Sequence, residues 1–441
     1  MGFRFIQFYV VATICCTNCQ AALLKESPSP LAGYQPDKTT FASIGPFELS
    51  NADSSSRIRF QFAGQLRVDF ESQDQDADKC RTEELFMKAR RLRPSMTVNL
   101  LKPSLSFRLH LSTAPKSLEL MDFYFNYKVA RHLQFRYGQY KVPFTRYRIQ
   151  SFQRLTFVDW AIVTESFGAE RQMGFALHNG YETPPKWGYA LGVFTGVNAR
   201  ASHTVYLPKI YGENIVNPSN LADPGPQAKF HPELFLYLSH NANSIRVQSD
   251  TDEKRGGFRY SAGLSAAWDL DPTAYQDLQI RLAPEFLIKY QGLSIFTVGY
   301  AGFVEIGEPA RTDLAMVGGL FQAAYRINNR YEISVRYAVV DFKNVIVNDA
   351  YDRAQRLIDE AEDILDTATV KEFAQQSLDD ITARYGNAGQ ILHEQEIRLG
   401  FNIYIIGHSL KWQNDLGWLQ HSRREGTRTD YIVRSQFQLT F

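Results

Sequence analysis

The stretch Arg57–Glu71, RIRFQFAGQLRVDFE, puts Ile58, Phe60, Phe62, Leu66, Val68 and Phe70 on one side of an extended chain. Arg57, Arg59, Gln61, Gln65, Arg67, Asp69 and Glu71 fall on the other. Successive side chains of a strand point to opposite faces, so this parity predicts one strand with an apolar face and a charged face. Length adds a second constraint. Strands of soluble proteins average about 5–6 residues, whereas a strand that crosses a bilayer needs about 9–11. A soluble sandwich also alternates, but a long strand that is aromatic on one side and charged on the other suits a barrel with lipid outside and water inside.

The pattern spreads along the chain. It recurs in Arg91–Leu101, Leu105–Ser112, Phe135–Tyr137, Arg330–Val339 and Glu396–Ile405. About 16 candidate strands result, an even number as bacterial outer-membrane barrels have. Tight turns are expected at Leu100–Ser104, Val129–Arg131, Gln291–Gly292, Ile327–Asn329 and Ile405–Ser409. Long links are expected at Glu71–Leu85, Tyr140–Arg171, Val197–Pro232 and Asn344–Leu392. Short periplasmic turns alternating with longer external loops are the topology of such a barrel. One link, Asn241–Gly256, breaks the rule: it should be periplasmic, yet it is long and polar. At the C-terminus Tyr431, Val433, Phe437, Leu439 and Phe441 alternate with Ile432, Arg434, Gln436, Gln438 and Thr440. A terminal aromatic strand of this kind resembles the assembly signal of outer-membrane barrels.

Composition narrows the alternatives. Lys+Arg 48 against Asp+Glu 47 leaves a formal charge of +1, without the basic field of a nucleic-acid binder. A mean hydropathy of -0.30 with 22% charged residues excludes a polytopic helical membrane protein. Aromatic residues at 13% suit strands better than helices. At the N-terminus Arg4 precedes an apolar run from Phe5 to Cys16, with small residues at Cys19 and Ala21, so residues 1–21 read as a cleaved secretory signal. Residues 22–56 then form a periplasmic linker and 57–441 the barrel. Cys15, Cys16 and Cys19 fall inside the signal, which leaves Cys80 and excludes a disulfide framework or a cysteine-zinc site.

The segment GQYKVPFTRYRIQS, Gly138–Ser151, opens the third external loop and resembles the GQxKxPF segment of the phosphate-selective porin O/P family. Further segments follow in the order that family shows: Arg90–Leu100, Gly174–Gly196, Pro284–Phe296, Ala323–Asp341 and Leu399–Gly417. The resemblance covers nearly all of the chain beyond Arg57. It implies an outer-membrane, trimeric channel of 16 strands through which small anions such as phosphate diffuse without energy input, in contact with outer-membrane lipid. The chain departs from the family between Asn348 and Gly389, where Tyr351, Ala354, Leu357, Ile358, Ala361 and Leu365 fall at helical spacing, as do Val370, Phe373, Ala374, Leu378 and Ile381. A helical hairpin inserted at 348–389 is expected, with an acidic polar face and the role of a solvated cap.

No G-x-S-x-G, H-E-x-x-H, P-loop or Cys-x-x-Cys pattern is present, and the nine histidines lack zinc-ligand spacing. The expectation is therefore an all-β transmembrane antiparallel barrel without cofactor or catalytic residues. A Ser and His brought together on separate strands, as in a lipase-type barrel, is a weaker alternative, and a non-conducting barrel displaying the hairpin is another. The inward parity selects the anion-pathway candidates: Arg59, Arg67, Arg91, Arg93, Arg108 and Arg136 on the wall, with Lys141, Arg146 and Arg148 on the third loop. Guanidinium groups donate paired hydrogen bonds to oxyanions and stay charged, and rings of Arg or Lys replace part of an anion's hydration shell. For any one arginine, cross-strand pairing that merely keeps the lumen hydrated competes with this role.

Overall fold

The computed structural model describes residues 47–51, 55–74, 81–100, 104–113, 118–183, 185–195, 232–270, 280–306, 312–343, 393–423 and 426–441. The expected signal, most of the expected linker and the whole helical hairpin at 348–389 lie outside these residues.

A short strand β1 (Phe47–Ser50) precedes sixteen long ones. These are β2 (Arg57–Asp74), β3 (Arg81–Leu100), β4 (Leu105–Ser112), β5 (Glu119–Ala130), β6 (Leu133–Lys141), β7 (Arg171–His178), β8 (Trp187–Phe194) and β9 (Glu233–Asn241). They continue as β10 (Arg259–Asp269), β11 (Ile280–Tyr290), β12 (Leu293–Ile306), β13 (Thr312–Arg326), β14 (Tyr331–Lys343), β15 (His393–Ile406), β16 (Leu410–Arg423) and β17 (Gly426–Thr440). Each strand from β2 onward pairs antiparallel with the next. The ring closes where β17 pairs with β2, from Tyr431 opposite Ser72 to Thr440 opposite Ala63. The result is a closed antiparallel barrel of 16 strands. Past the end of β17, Phe441 still exchanges two backbone hydrogen bonds with Phe62, and β1 takes over the free edge of β2 at Arg57–Phe60. The residues read as linker thus contribute one short strand to the rim.

The two faces of the wall are opposite in character. Phe125, Phe175, Leu191, Leu264, Phe321, Val335, Leu399 and Val433 point outward and are exposed. Arg67, Arg136, Arg281, Lys289, Arg336, Glu396, Arg398 and Asp415 point inward and are buried. An aqueous solvent would invert this arrangement; a hydrocarbon exterior requires it. Beside the short turns a belt of exposed aromatic rings, Tyr127, Trp187, Phe258, Tyr290, Tyr325 and Tyr331, matches the girdle that marks a membrane interface. No helix among the described residues is long and apolar enough to cross a membrane; the strands do so.

Connections follow the expected alternation, with two differences. The first long link is shorter than the sequence suggested, because β2 runs to Asp74 and β3 begins at Arg81, so the hairpin stands well beyond a bilayer's thickness. The link between β9 and β10 does not hang into the periplasm. Residues 242–258 fold back into the barrel, which explains why a periplasmic turn is long and polar: it must satisfy lumen groups rather than merely reverse the chain.

Candidate functional site

The interior is organised by the third external loop, residues 142–170, which leaves β6 at Lys141 and folds inward instead of outward. Gly138, three residues earlier, has φ +130, and a Cβ there would stand 2.3 Å from the Phe123 carbonyl oxygen. Only glycine allows the two strands this approach. Val142 and Phe144 are fully buried, and Thr145, with φ 60, turns the chain into the one-turn helix α1 (Arg146–Ile149). The Glu285 carboxylate of β11 accepts from the Arg146 backbone N–H at 2.9 Å, fixing that turn to the opposite wall.

Beyond it the loop is stitched across the lumen. Lys411 Nζ donates to the Leu155 carbonyl (3.0 Å), Asn402 Nδ2 to that of Thr156 (2.7 Å), and the Val158 N–H to Asp415 Oδ2 (3.0 Å). A second helix, α2 (Ile162–Phe167), brings the chain back to β7. Stacked rings seat the loop on the wall: Tyr147 on Phe296 at 5.3 Å and Phe167 on Tyr300 at 5.1 Å between centroids. The strand β12, LSIFTVGYAGFVEI, is apolar on both faces because one meets lipid and the other meets this loop. That doubled apolarity is a sequence signal for a protein-covered lumen wall.

At the outer end Asp159 gathers three arginines. Its Oδ2 lies 3.1 Å from Arg67 Nη1 and 3.2 Å from Arg90 Nη2, and its Oδ1 is 2.9 Å from Arg91 Nη2. Burial alone would raise the carboxyl's pKa, but the charges of Arg91, Arg90 and Arg67 outweigh it and hold the group well below the usual carboxylate range. Arg90 is absent from the alternation-based set. A bulge pairs Gln65 with Arg91 and Leu66 with Ala89, so Arg90 is the extra residue and escapes the parity.

The other candidates separate by position. Arg59 pairs with Glu48 of β1 at 3.1 Å on the rim, half-exposed. Arg136 is buried, 2.9 Å from Glu182 and 4.3 Å above the Tyr124 ring. Arg146 donates to the Val247 carbonyl (2.7 Å) and to Gln150 (2.9 Å), and Arg148 pairs with Glu170. These hold structure together. Arg93, which lies over the Phe152 ring at 4.7 Å, Arg108, 3.8 Å from Asp122, and Lys141, whose Nζ donates to the Arg148 and Gln150 carbonyls, also line an open cavity of about 230 Å³ between the third loop and the wall of β2–β6. Arg171, missed in the sequence because it sits at the loop's return, faces the same space, as do Ser95, Ser151 and Gln153. Two carboxylates border it. Asp122 accepts from Arg171 (2.7 Å) and contacts His110 (2.8 Å), and Glu182 is bound by Arg136. Glu182 is drawn down to about 2, since Arg136 overrides the upward push of burial. The cavity continues past Glu182 and Gln248, which both spaces share, into a wider vestibule of about 1050 Å³ bordered by residues 240–248 and Arg154. Among the described residues no cluster of His, Cys, Asp and Glu has the geometry to hold a metal ion.

Comparison with known proteins agrees with this architecture. Residues 60–207 match the model of the family described as phosphate-selective porin O and P. No curated protein matches the sequence. The fold is similar to the outer membrane channel DcaP of Acinetobacter baumannii (TM-score 0.52, 10% identity, 90% of this chain and 100% of that one). It is also similar to Pseudomonas putida OprB (TM-score 0.50, 10% identity, 88% and 95%). An inside-out barrel of 16 strands, an inward third loop and the family match over residues 60–207 together make this chain an outer-membrane porin, a channel and not an enzyme.

Proposed function

We propose that the porin passes small anions through the passage beside β2–β6, with phosphate the first to test. The observation that supports this is the excess of cationic over anionic side chains at the narrow cavity. Arg93, Arg108, Lys141 and Arg171 face it against only two carboxylates; Asp122 is shared by Arg171 (2.7 Å) and Arg108 (3.8 Å), and Glu182 is taken by a fifth cation, Arg136. An anion entering meets a lining in which cationic groups outnumber carboxylates, in a confined, low-dielectric space where screening by salt is weakest. Phosphate rests on the family's description alone. Assembly as a homotrimer and contact with outer-membrane lipid are part of the same reading.

Reversal potentials across a planar bilayer in a salt gradient test it. Arg93→Ala and Arg108→Ala should each lower the anion-to-cation permeability ratio, by about twofold or more. Arg59→Ala, paired at the open rim, should leave it unchanged because water and salt screen that position. Cation selectivity of the unaltered protein, or no response to either lumen variant, refutes the assignment. Inorganic phosphate should reduce chloride current in a titration, and no block would remove it as a solute. The filling of the lumen by two inward segments also favours a second reading, a plugged barrel serving as an anchor, for which stable insertion without conductance steps is the signature.

A further inference from the structure

The inward segment 242–258 has no place in the alternation of turns and loops, and its contacts are unusually dense for a connection. Asn243 and Ser244, both with φ near +55, turn the chain upward directly after β9, and Arg255, with φ 47, brings it back. Left-handed backbone at Ser and Arg is strained and persists only where surrounding contacts demand it. Those contacts are present. Lys289 Nζ of β11 donates to three carbonyls of the segment, those of Arg246 (2.8 Å), Ser249 (2.7 Å) and Thr251 (2.9 Å). Asp252 accepts from Arg259 at 2.8 Å and from the Gly292 N–H at 2.9 Å, Glu253 meets His408 at 2.9 Å, and Thr251 donates to Glu332. Ser249, Asp250, Thr251 and Asp252 are at most 1% exposed.

The segment also joins the third loop. Gln150 Nε2 donates to Asp250 Oδ1 (2.8 Å), Arg146 donates to the Val247 carbonyl, and the Asp250 N–H to that of Arg154 (3.3 Å). One element descends from the outer side and one rises from the periplasmic side, and they are bonded where they meet. Their effect on the walls is unequal. Lumen-facing Ser294, Gln322, Glu332, Arg336, Glu396 and Asn402 on β12–β15 are at most 2% exposed, whereas Arg93 and Ser95 on β3 line open space.

We infer that residues 242–258 and the third loop form one partition that closes the lumen along β10–β16 and confines solute to the eccentric passage along β2–β6. The periplasmic segment is thereby a selectivity element: it forces solute past Arg93, Arg108, Lys141 and Arg171 rather than across a wide lumen where those charges would be screened. This inference rests on the porin reading but is separable from it.

Thiol accessibility tests it in the full-length protein, in a Cys80→Ser background, with a negatively charged methanethiosulfonate and peptide mass to identify the labelled position. Ser95→Cys should react quickly. Ser294→Cys, opposite Lys289 in the register, should react at least about tenfold more slowly, because exposure there needs the partition to open. Lys289→Met, which strips the donor from three carbonyls, should bring the two rates together. Replacing 243–257 by Asn-Gly should raise conductance at least about twofold and weaken the effect of Arg93→Ala on selectivity. Equal labelling of both thiols in the unaltered segment, or unchanged conductance and selectivity after replacement, overturns the inference. If the replacement does not assemble, the labelling comparison with Lys289→Met decides alone. A barrel that never conducts but shows the predicted labelling contrast would refute diffusion while leaving the partition standing.

Discussion

Asp159 shows how one loop residue disciplines a wall of positive charge. Three guanidinium groups from β2 and β3 converge on its two oxygens, and without it they would repel one another and the loop tip would lose its tether. Removing one partner of a buried ion cluster costs about 3–5 kcal/mol when burial is complete. Arg90 is exposed enough here to lower that to about 2 kcal/mol for Asp159→Asn. The variant should still form a barrel, since no strand bond is lost, but the temperature at which its heat-modifiable gel band shifts should fall by several degrees, and anion preference should rise. An unchanged shift temperature would show that the cluster does not hold the loop. The pH dependence has a definite sign. A carboxyl depressed in the folded state contributes stability above its unfolded value of about 3.9, and that contribution is lost only as pH falls through the lower folded value. The clamp should therefore survive mild acid, with loop-dependent conductance the same at pH 7 and pH 5.

The third loop and the segment 242–258 divide the elements that could be read from sequence from those that could not. Strand parity holds because lipid and water impose a period of two on every spanning segment, and Ile333, Val335 and Tyr337 point outward against buried Ser334, Arg336 and Ala338 as the pattern required. Parity fails at the bulge that turns Arg90 inward, since one extra residue leaves no compositional trace. It gives no account of the interior segments, several of whose partners lie about a hundred or more positions away, as with Gln150 and Asp250 or Lys411 and Leu155. The candidate arginines were identifiable as lumen-facing; which of them face water depended on those distant pairings. Gly138 offers a direct test at this scale. A methyl group there meets the Phe123 carbonyl and demands a φ that L-residues avoid, a strain of about 1–3 kcal/mol at the root of the loop. Gly138→Ala should reduce the folded fraction in detergent, whereas Gly257→Ala, where a Cβ meets nothing within 4 Å, should not.

At the scale of the whole molecule the barrel is a rigid frame whose permeation properties are set by what fills it, so selectivity should respond to charge at the passage and not to net charge, which is only +1. The groups facing the passage decide its pH response. Glu182, drawn down to about 2 by Arg136, stays ionised in mild acid. Its contribution to stability is complete above the unfolded value of about 4.3 and is lost as pH falls from there through the folded value. On this account the anion-to-cation permeability ratio is the same at pH 7 and pH 5. His110, which also faces the cavity beside Asp122, is the competing source of a change, because its protonation would add a cation. Comparison with Glu182→Gln separates the two. If the ratio rises on acidification in the unaltered protein but not in the variant, Glu182 discharges and its pairing with Arg136 is not what fixes the local charge. A rise that persists in the variant assigns the change to the His110–Asp122 pair. Constancy in both places the selectivity on the arginines alone, and raising ionic strength should then reduce it only modestly, since a confined passage excludes much of a screening cloud whose Debye length is about 8 Å at physiological salt.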